Sequence, residues 1–243
     1  MHVSFGVQIH LHRCRSMYGS DSMASFSSKG PTADGRLKPD ILAAGSYVTS
    51  AAAVTLPSNS KAPHCSIKAL EGTSMSAPAA AAYALKVRQY FTSGYYPSGN
   101  PNQKDAFNPS GALLKAILIH SGQPVHNSLT ASGSGASQPL TQYPSNQQGY
   151  GRLQLNKALN FGKSSLNPLS LFVVGAANAS SQHFASIKKQ AQKDSYTFTL
   201  SGASSVRVTM VYTDYPGTPV ASTIMINSLS VTVKDRRTNA IYR

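Results

Sequence analysis

The distribution of apolar and polar positions divides the first half of the chain into strands followed by a long helix. Residues 47–54 and 66–70 have the β-branched, alternating composition of short strands. Residues 79–90 then contain strong helix formers and almost no breakers. Because 79–85 is apolar on every side, we predict that this half of the helix is buried.

The pattern changes character after about residue 166. Before that point, 112–121 and 153–159 have the spacing of two further helices. Beyond it, three stretches alternate strictly between polar and apolar residues, at 195–200, 206–212 and 229–233. Such period-two alternation predicts half-buried antiparallel strands, so the sequence predicts an α/β segment followed by an all-β module.

Length and composition are those of a globular protein. The 243 residues fit one large domain or two smaller ones, and 41% of them are hydrophobic while only 12% are charged. Disordered chains have the opposite balance. The longest apolar stretches, at 78–85 and 113–119, are far shorter than the roughly 20 residues that a membrane-spanning helix needs. We therefore expect no membrane span.

The charge is strongly basic, with 22 Lys and Arg against 8 Asp and Glu, a formal net charge of +14. These basic residues are scattered, and the late doublets at 188–189 and 236–237 are not part of a longer run. A nucleic-acid-binding patch is usually visible as a cluster. We therefore expect no nucleic-acid partner, and a solvated basic surface suited to an acidic partner or an anionic surface.

The two cysteines, Cys14 and Cys65, fit either one disulfide or two free thiols and have no metal-ligand spacing. Residues 1–16 contain three histidines and two arginines but no apolar core of a signal peptide. The compartment is therefore not assigned by the sequence.

Residues 72–78, with the sequence Gly-Thr-Ser-Met-Ser-Ala-Pro, stand at the start of the predicted long helix. A serine there, Ser74, would have unpaired backbone N–H groups and the positive end of the helix dipole beside it, which can stabilise an oxyanion. Gly72 permits close approach of a substrate, and Pro78 falls near the first turn, where a missing N–H costs least. The alternative is a simple N-cap, for which Ser and Thr are also favoured.

This motif occurs with four others in an order that resembles the subtilisin-like serine proteases, or subtilases. The others are Phe-Ser-Ser-Lys-Gly-Pro at 26–31, Lys-Pro-Asp-Ile at 38–41, Leu-Leu-Lys-Ala at 113–116 and Gly-Tyr-Gly-Arg-Leu at 149–153. One departure is Ala-Ala-Gly at 43–45, where Ala-Pro-Gly is usual. The resemblance covers about residues 17–165. It implies a subtilisin-like α/β fold with a partial parallel sheet, serine endopeptidase activity and Ser74 as nucleophile. The Ser74 N–H would be one oxyanion donor and Thr73 a further support.

Residues 166–243 resemble part of the C-terminal β-sandwich, jelly-roll-like, that one branch of the family has. The similarity lies in Val-Tyr-Thr-Asp at 211–214 and Ile-Asn-Ser-Leu-Ser at 226–230. The family often has Asn-Asp-Leu-Asp at the second motif, and the loss of both carboxylates argues against a calcium site there. We expect no cofactor and no metal. The predicted organisation is a divergent leader at 1–16, the C-terminal half of a catalytic domain at 17–165 and an incomplete, antiparallel sandwich at 166–243.

The catalytic partners of the serine are missing from the sequence. Subtilases place an Asp and then a His upstream of the serine, in Asp-Thr/Ser-Gly and His-Gly-Thr motifs, and an oxyanion Asn as well. None of these motifs occurs in the 73 residues before Ser74. The substitutes within reach in the sequence lack motif context and are expected to be ordinary surface groups: His10, His12, His64, Asp21 and Asp34.

Two functions remain open. In the first, the chain is part of a serine endopeptidase, truncated at both ends and inactive alone, whose substrate is a peptide or protein. In the second, it is a non-catalytic pseudoprotease or binding fragment with a basic surface. The intact motif at 72–78 favours the first, and the missing Asp and His favour the second. The oligomeric state is not assigned.

Overall fold

A computed structural model describes residues 21–52, 66–129, 137–162, 170–177, 183, 186–200, 205–219, 221 and 224–242. Seven short strands occur in this part of the chain: β1 (Ser22–Met23), β2 (Val48–Ala52), β3 (Ser66–Leu70), β4 (Asn127–Leu129), β5 (Ser137–Pro139), β6 (Val233–Lys234) and β7 (Ile241–Tyr242). The described residues also form two α-helices, α1 (Thr73–Thr92) and α2 (Gly111–His120). A short 3-10 helix lies between them at Gln103–Asp105, and a second follows β5 at Leu155–Lys157.

The strands form one mixed sheet and two hairpins. In the mixed sheet β4 lies between β1, to which it is parallel, and β5, to which it is antiparallel. The β2–β3 hairpin pairs Val48 with Leu70 and Ala52 with Ser66. Strands β6 and β7 pair near the end of the chain. The described residues therefore have an α/β arrangement with one parallel pair.

The core lies where the second half of α1 meets α2. Val87, Tyr90 and Phe91 of α1 are buried against Leu113 and Ile117 of α2. Aromatic rings fill the space around Phe91, whose centroid lies 5.0 Å from that of Phe107. The other buried members are Tyr96, Ala158, Leu159 and Val173.

The first half of α1 is exposed, so the prediction of burial at 79–85 is wrong. Ala81 and Ala82 are exposed, and Leu85 is 67% exposed, whereas Val87 is fully buried. An apolar stretch is buried only where another element covers it. Among the described residues, α2 and its adjoining loops cover the second half of α1 and leave the first half open to solvent.

The helix boundaries follow the sequence more closely. Helix α1 begins six residues before the predicted stretch, and α2 matches its prediction to within one residue. The Ser110 hydroxyl caps α2 by accepting a hydrogen bond from the Leu113 N–H at 3.1 Å. The predicted helix at 153–159 is shorter, a single 3-10 turn at Leu155–Lys157.

The strands predicted at 195–200 and 206–212 do not form. All six residues of 195–200 are exposed, and neither stretch is assigned to a strand. The third prediction, 229–233, overlaps β6 only at its last residue, Val233. Alternation produces an apolar face, but a strand also needs a paired neighbour, and the described residues place none beside 195–200 or 206–212. A sandwich is therefore not observed in this part of the chain.

Candidate active site

Ser74 is the second residue of α1, and its side chain is exposed. Strand β3 leads directly into it through Glu71 and Gly72. Gly72 has φ of 144°, a conformation that L side chains rarely adopt, so only glycine turns the chain here without strain. Its N–H donates to the Gly45 carbonyl at 2.8 Å, which fixes the start of the helix against the preceding loop.

The first backbone donors of α1 point out of the helix without a partner in the described part of the chain. The first turn closes when the Met75 N–H donates to the Gly72 carbonyl at 3.1 Å, and the N–H groups of Thr73 and Ser74 precede that bond. No acidic side chain lies in this turn to compete for them. Together with the helix dipole, these two N–H groups can stabilise an oxyanion beside the Ser74 hydroxyl.

Gly45 lies under the start of the helix. A Cβ at this position would come within 2.8 Å of the Gly72 carbonyl oxygen and would also collide with Ser76 Oγ. Next to it, the Ser46 hydroxyl donates to Glu71 Oε2 at 3.3 Å. The sequence motifs predict no role for Gly45, although a glycine two residues before the predicted strand at 47–54 is a signal for a close backbone contact.

Pro78 is the sixth residue of α1 and lies inside the helix, not near its first turn as predicted. Proline has no N–H, so it cannot donate the i to i−4 hydrogen bond that the Ser74 carbonyl would otherwise accept. The Ser74 carbonyl thus lacks the i to i−4 hydrogen bond that it would accept in a regular helix.

The described histidines are engaged away from Ser74. His120 Nδ1 lies 2.9 Å from Thr209 Oγ1, and His183 packs against the rings of Tyr96 and Phe107. His126 Nδ1 lies 2.9 Å from a carboxylate oxygen of Asp21. The histidines at 10, 12 and 64 and both cysteines lie outside the described residues.

The two candidate aspartates also have other partners. Asp21, an expected surface group, holds His126 and links β1 to the start of β4. Asp34 lies in a turn, where the Arg36 side chain donates to it at 2.7 Å. That hydrogen bond is the main cause that lowers the pKa of Asp34 to about 2. Among the described residues, therefore, neither a base nor an orienting acid contacts Ser74.

The separated motifs at 26–31, 38–41 and 149–153 meet in space. The Gly30 N–H donates to the Asn146 carbonyl at 2.8 Å, and the Tyr150 N–H donates to the Asp40 carbonyl at 2.9 Å. These bonds explain why glycines recur in the motifs. At Gly151, for example, φ is 78° and a Cβ would collide with the Gln123 carbonyl.

Asp40 joins this motif cluster to α2. Its carboxylate contacts the Lys38 ammonium and lies 3.3 Å from Lys115 Nζ on α2. Partial burial acts to raise the pKa of Asp40, but the hydrogen bond from Lys38 and the charge of Lys115 outweigh it, so the pKa is lowered. The ion pairs anchor the loop before β2 to the helix that packs against α1.

Neither a metal cluster nor a membrane-crossing helix is found in the described ranges. No three His, Cys, Asp or Glu side chains come together there in a way that could hold an ion. The helices that the structure describes are too short or too polar to traverse a bilayer.

The fold and the serine motif can now be compared with known proteins. The model of the subtilase family matches residues 15–151, more than half of the chain. The chain belongs to the subtilase family. This confirms the resemblance drawn from the separated motifs, including the one around Ser74.

Two curated relatives from Dictyostelium discoideum extend the similarity beyond the family match. The Serine protease/ABC transporter B family protein tagD is 32% identical over 93% of this chain and 14% of its own length. The corresponding protein tagA is 33% identical over 85% of this chain and 11% of its own length. The chain thus spans less than a sixth of these relatives. No solved structure gives a significant match.

Proposed function

We propose that this subtilase chain is the nucleophile-bearing part of a serine endopeptidase, with Ser74 as the nucleophile. The supporting observation is an exposed serine at the second position of a long helix, beside two backbone N–H groups without described partners. In the reaction, the Ser74 oxygen attacks the carbonyl carbon of a peptide bond. The N–H groups of Ser74 and Thr73 then stabilise the resulting oxyanion. The peptide C–N bond breaks, the amine leaves with the proton that the base took from the Ser74 hydroxyl, and water hydrolyses the acyl-enzyme to release the acid and free Ser74.

The reaction also needs a base to take the proton from the Ser74 hydroxyl and an acid to orient that base. The family motifs for both are absent from the sequence, and the described His and Asp side chains bind elsewhere. In subtilisin, removing either the serine or the histidine lowers kcat by about 10⁶. We therefore propose that the 243 residues alone have no significant peptidase activity, and that activity requires an Asp and a His from another segment.

The domain division of the sequence analysis is kept as part of this proposal. Residues 17–165 would be the catalytic part, 1–16 a divergent leader and 166–243 part of a sandwich module. The motif at 211–214 and the contacts of Asp214 with Asn227 support an ordered module there. By analogy with the serine proteases among its relatives, its substrates would be peptides or proteins.

A fluorophosphonate probe tests the assignment of Ser74, because it labels only an activated serine. The first sample is the purified chain, for which we expect no labelling above background. The second is a chimera in which the segment of an active subtilase that contains the Asp-Thr/Ser-Gly and His-Gly-Thr motifs precedes residue 17. There we expect labelling that mass spectrometry locates at Ser74.

Two variants of the chimera separate chemistry from folding. Ser74→Ala should abolish labelling, whereas Ser76→Ala, two residues along the same helix, should keep it. Labelling of the chain alone would contradict the proposed inactivity. Labelling of a folded chimera at a residue other than Ser74 would contradict the proposed nucleophile.

The alternative function is a non-catalytic binding module. It is favoured by the engagement of the described histidines at other sites, since a decoy needs no base beside the serine. This alternative would be supported if circular dichroism showed that the chimera is folded but the probe did not label it and it did not cleave casein.

A further inference from the structure

The C-terminal end of α2 is contacted by a residue from the distant C-terminal part of the chain. Arg207 Nη1 donates to the His120 carbonyl at 2.8 Å and to the Gly122 carbonyl at 3.2 Å. The last carbonyls of a helix have no partner within the helix, and a cation is also favoured at that end of the dipole. Arg207 therefore acts as a helix cap supplied from 87 residues away.

A second contact lies beside the first. Thr209, two residues after Arg207, places its hydroxyl 2.9 Å from His120 Nδ1. One residue of α2 is thus held twice, through its carbonyl by Arg207 and through its ring by Thr209. Residues 205–212 form no strand, so no β-pairing holds them in place. Among the described residues, these polar contacts attach the segment to α2.

The loop that contains Tyr143 packs beside the contact between Arg207 and the end of α2. The Tyr143 hydroxyl donates to the same Gly122 carbonyl at 3.3 Å. Tyr143, Tyr150 and Arg207 line a cavity of about 320 Å³ together with Ile119 and Met210. The joint is therefore incompletely packed, and apolar burial contributes little to hold it closed.

From this geometry we infer that Arg207 and Thr209 form a clasp on His120 that joins residues 205–212 to the catalytic part of the chain, and that the clasp opens in acid. The cause is a charge conflict. Protonation of His120 places a second positive charge beside the Arg207 guanidinium in a half-buried position. The bond to Thr209 survives protonation, since its hydroxyl can also accept, so the penalty is electrostatic.

The helix dipole favours a cation at this end of α2, but the Arg207 guanidinium already occupies the terminal carbonyls, and the other neighbouring groups do not relieve the conflict. On the segment that binds the ring, Arg207 is the charged group, and the facing loop contributes Tyr143 and Tyr150 but no carboxylate. Lys115, earlier on α2, is paired with Asp40. Among the described residues, no carboxylate is hydrogen-bonded to His120 to stabilise its charged form.

The direction of the pH effect follows from these contacts. Burial, and then the charge of Arg207, lower the pKa of His120 from its usual 6.5. The clasped state thus binds fewer protons than the released state, so release is favoured as the pH falls below about 6.5. Release should increase by about tenfold for each pKa unit that separates the two states.

Hydrogen exchange of the full chain, read by mass spectrometry and corrected for intrinsic rates, measures the clasp. In the wild type we expect the amides of residues 121–123, whose N–H groups donate to carbonyls of Ile117, Ile119 and Arg152 beside the clasp, to be protected at pH 8 and to lose protection as the pH falls from 7 to 5. His120→Gln should remove most of this pH dependence. His126→Gln, which changes a histidine bonded to Asp21 and not to the C-terminal part, is the matched control and should retain it.

An NMR titration of the His120 ring tests the charge conflict directly, because a purely structural role of Arg207 would not change the titration midpoint of His120. Arg207→Gln removes the neighbouring charge, so the His120 midpoint should rise toward 6.5. An unchanged midpoint would overturn the charge conflict. Equal exchange at residues 121–123 in the wild type and in Arg207→Gln at pH 8 would overturn the clasp itself, as would full pH dependence in His120→Gln.

Discussion

Phe91 and Phe198 make similar aromatic contacts in very different surroundings. The Phe91 ring lies 5.0 Å from that of Phe107, and the Phe198 ring lies 5.1 Å from that of Phe172. Yet Phe91 is fully buried, while Phe198 is 57% exposed. The first lies between α1, α2 and their connecting loop, whereas the second contacts the Phe172 ring and is largely exposed among the described residues.

Aromatic rings can therefore contact one another without forming a buried core. The free energy of burial scales with the apolar area removed from water, and a one-sided cluster removes little. In the part of the chain that matches the subtilase family, two helices enclose the cluster around Phe91. In the C-terminal part, described contacts are mainly local polar bonds, such as those of Asp214 and Asp235. The stability of the two regions should therefore respond to different substitutions.

The largest expected difference is between Phe91→Ala and Phe198→Ala. Phe91→Ala leaves a cavity in a packed core and should lower the free energy of unfolding by about 3–5 kcal/mol. Phe198→Ala changes a surface side chain and should cost less than about 1 kcal/mol. Urea denaturation of the full chain, followed by far-UV circular dichroism, measures both.

The outcome of that pair decides whether the exposure of Phe198 is a property of the chain in solution. Equal destabilisation by the two substitutions would mean that the C-terminal aromatic cluster is also covered. A small effect of Phe91→Ala would mean that α1 and α2 do not enclose a core.

A smaller effect is expected at the edge of the same core, at Tyr90. Its hydroxyl donates to the Asn160 carbonyl at 2.8 Å, and burial raises the pKa of Tyr90 to about 12. The protonated form is thus favoured by folding. The contribution of Tyr90 to stability should be constant below pH 10 and fall as the pH rises from 10 toward 12.

Tyr90→Phe isolates this contribution. It removes the bond to Asn160 and should cost about 1 kcal/mol at pH 8, while the loss of stability between pH 10 and 12 becomes shallower. Stability measured by urea denaturation across that range, alongside ultraviolet titration of the tyrosinate, provides the test. A Tyr90→Phe protein with an unchanged alkaline profile would exclude Tyr90 as its source.

The features that the sequence predicts correctly are those determined by neighbours along the chain. The hairpin strand at 66–70 and helix α2 were predicted to within a residue, because local propensity and the Ser110 cap determine them. The position of Ser74 at a helix start followed from the motif at 72–78. These features depend on neighbours along the chain.

The features that sequence reasoning missed depend on contacts between distant residues. The prediction that 79–85 is buried was wrong because composition does not say which element covers a helix face. The predictions of strands at 195–200 and 206–212 were wrong because a strand needs a pairing partner that is distant in the sequence. The clasp of Arg207 on His120 spans 87 residues and has no local signature.

The smallest and most local effect is expected at Asp214. Its carboxylate accepts hydrogen bonds from the N–H groups of Ile226 and Asn227, each at 2.9 Å, and from the Asn227 side chain at 2.6 Å. The bonds from the Asn227 backbone and side chain, in that order, are the main causes that lower the pKa of Asp214 to about 2. The charged form is favoured by folding, so this contribution is present above pH 4 and lost as the pH falls through about 2.

Asp214→Ala should therefore accelerate hydrogen exchange at residues 226–227 and leave the amides of α1 unchanged, because no packed core links the two regions at this point. Asp235→Ala is the matched control, since its carboxylate accepts from the Arg237 N–H at 2.8 Å in a separate turn and should affect 237–238 alone. If Asp214→Ala also loosened α1, the C-terminal part would be coupled to the core by more than local polar bonds. Exchange confined to 226–227 would instead support the contrast between a region held by burial and a region held by individual hydrogen bonds.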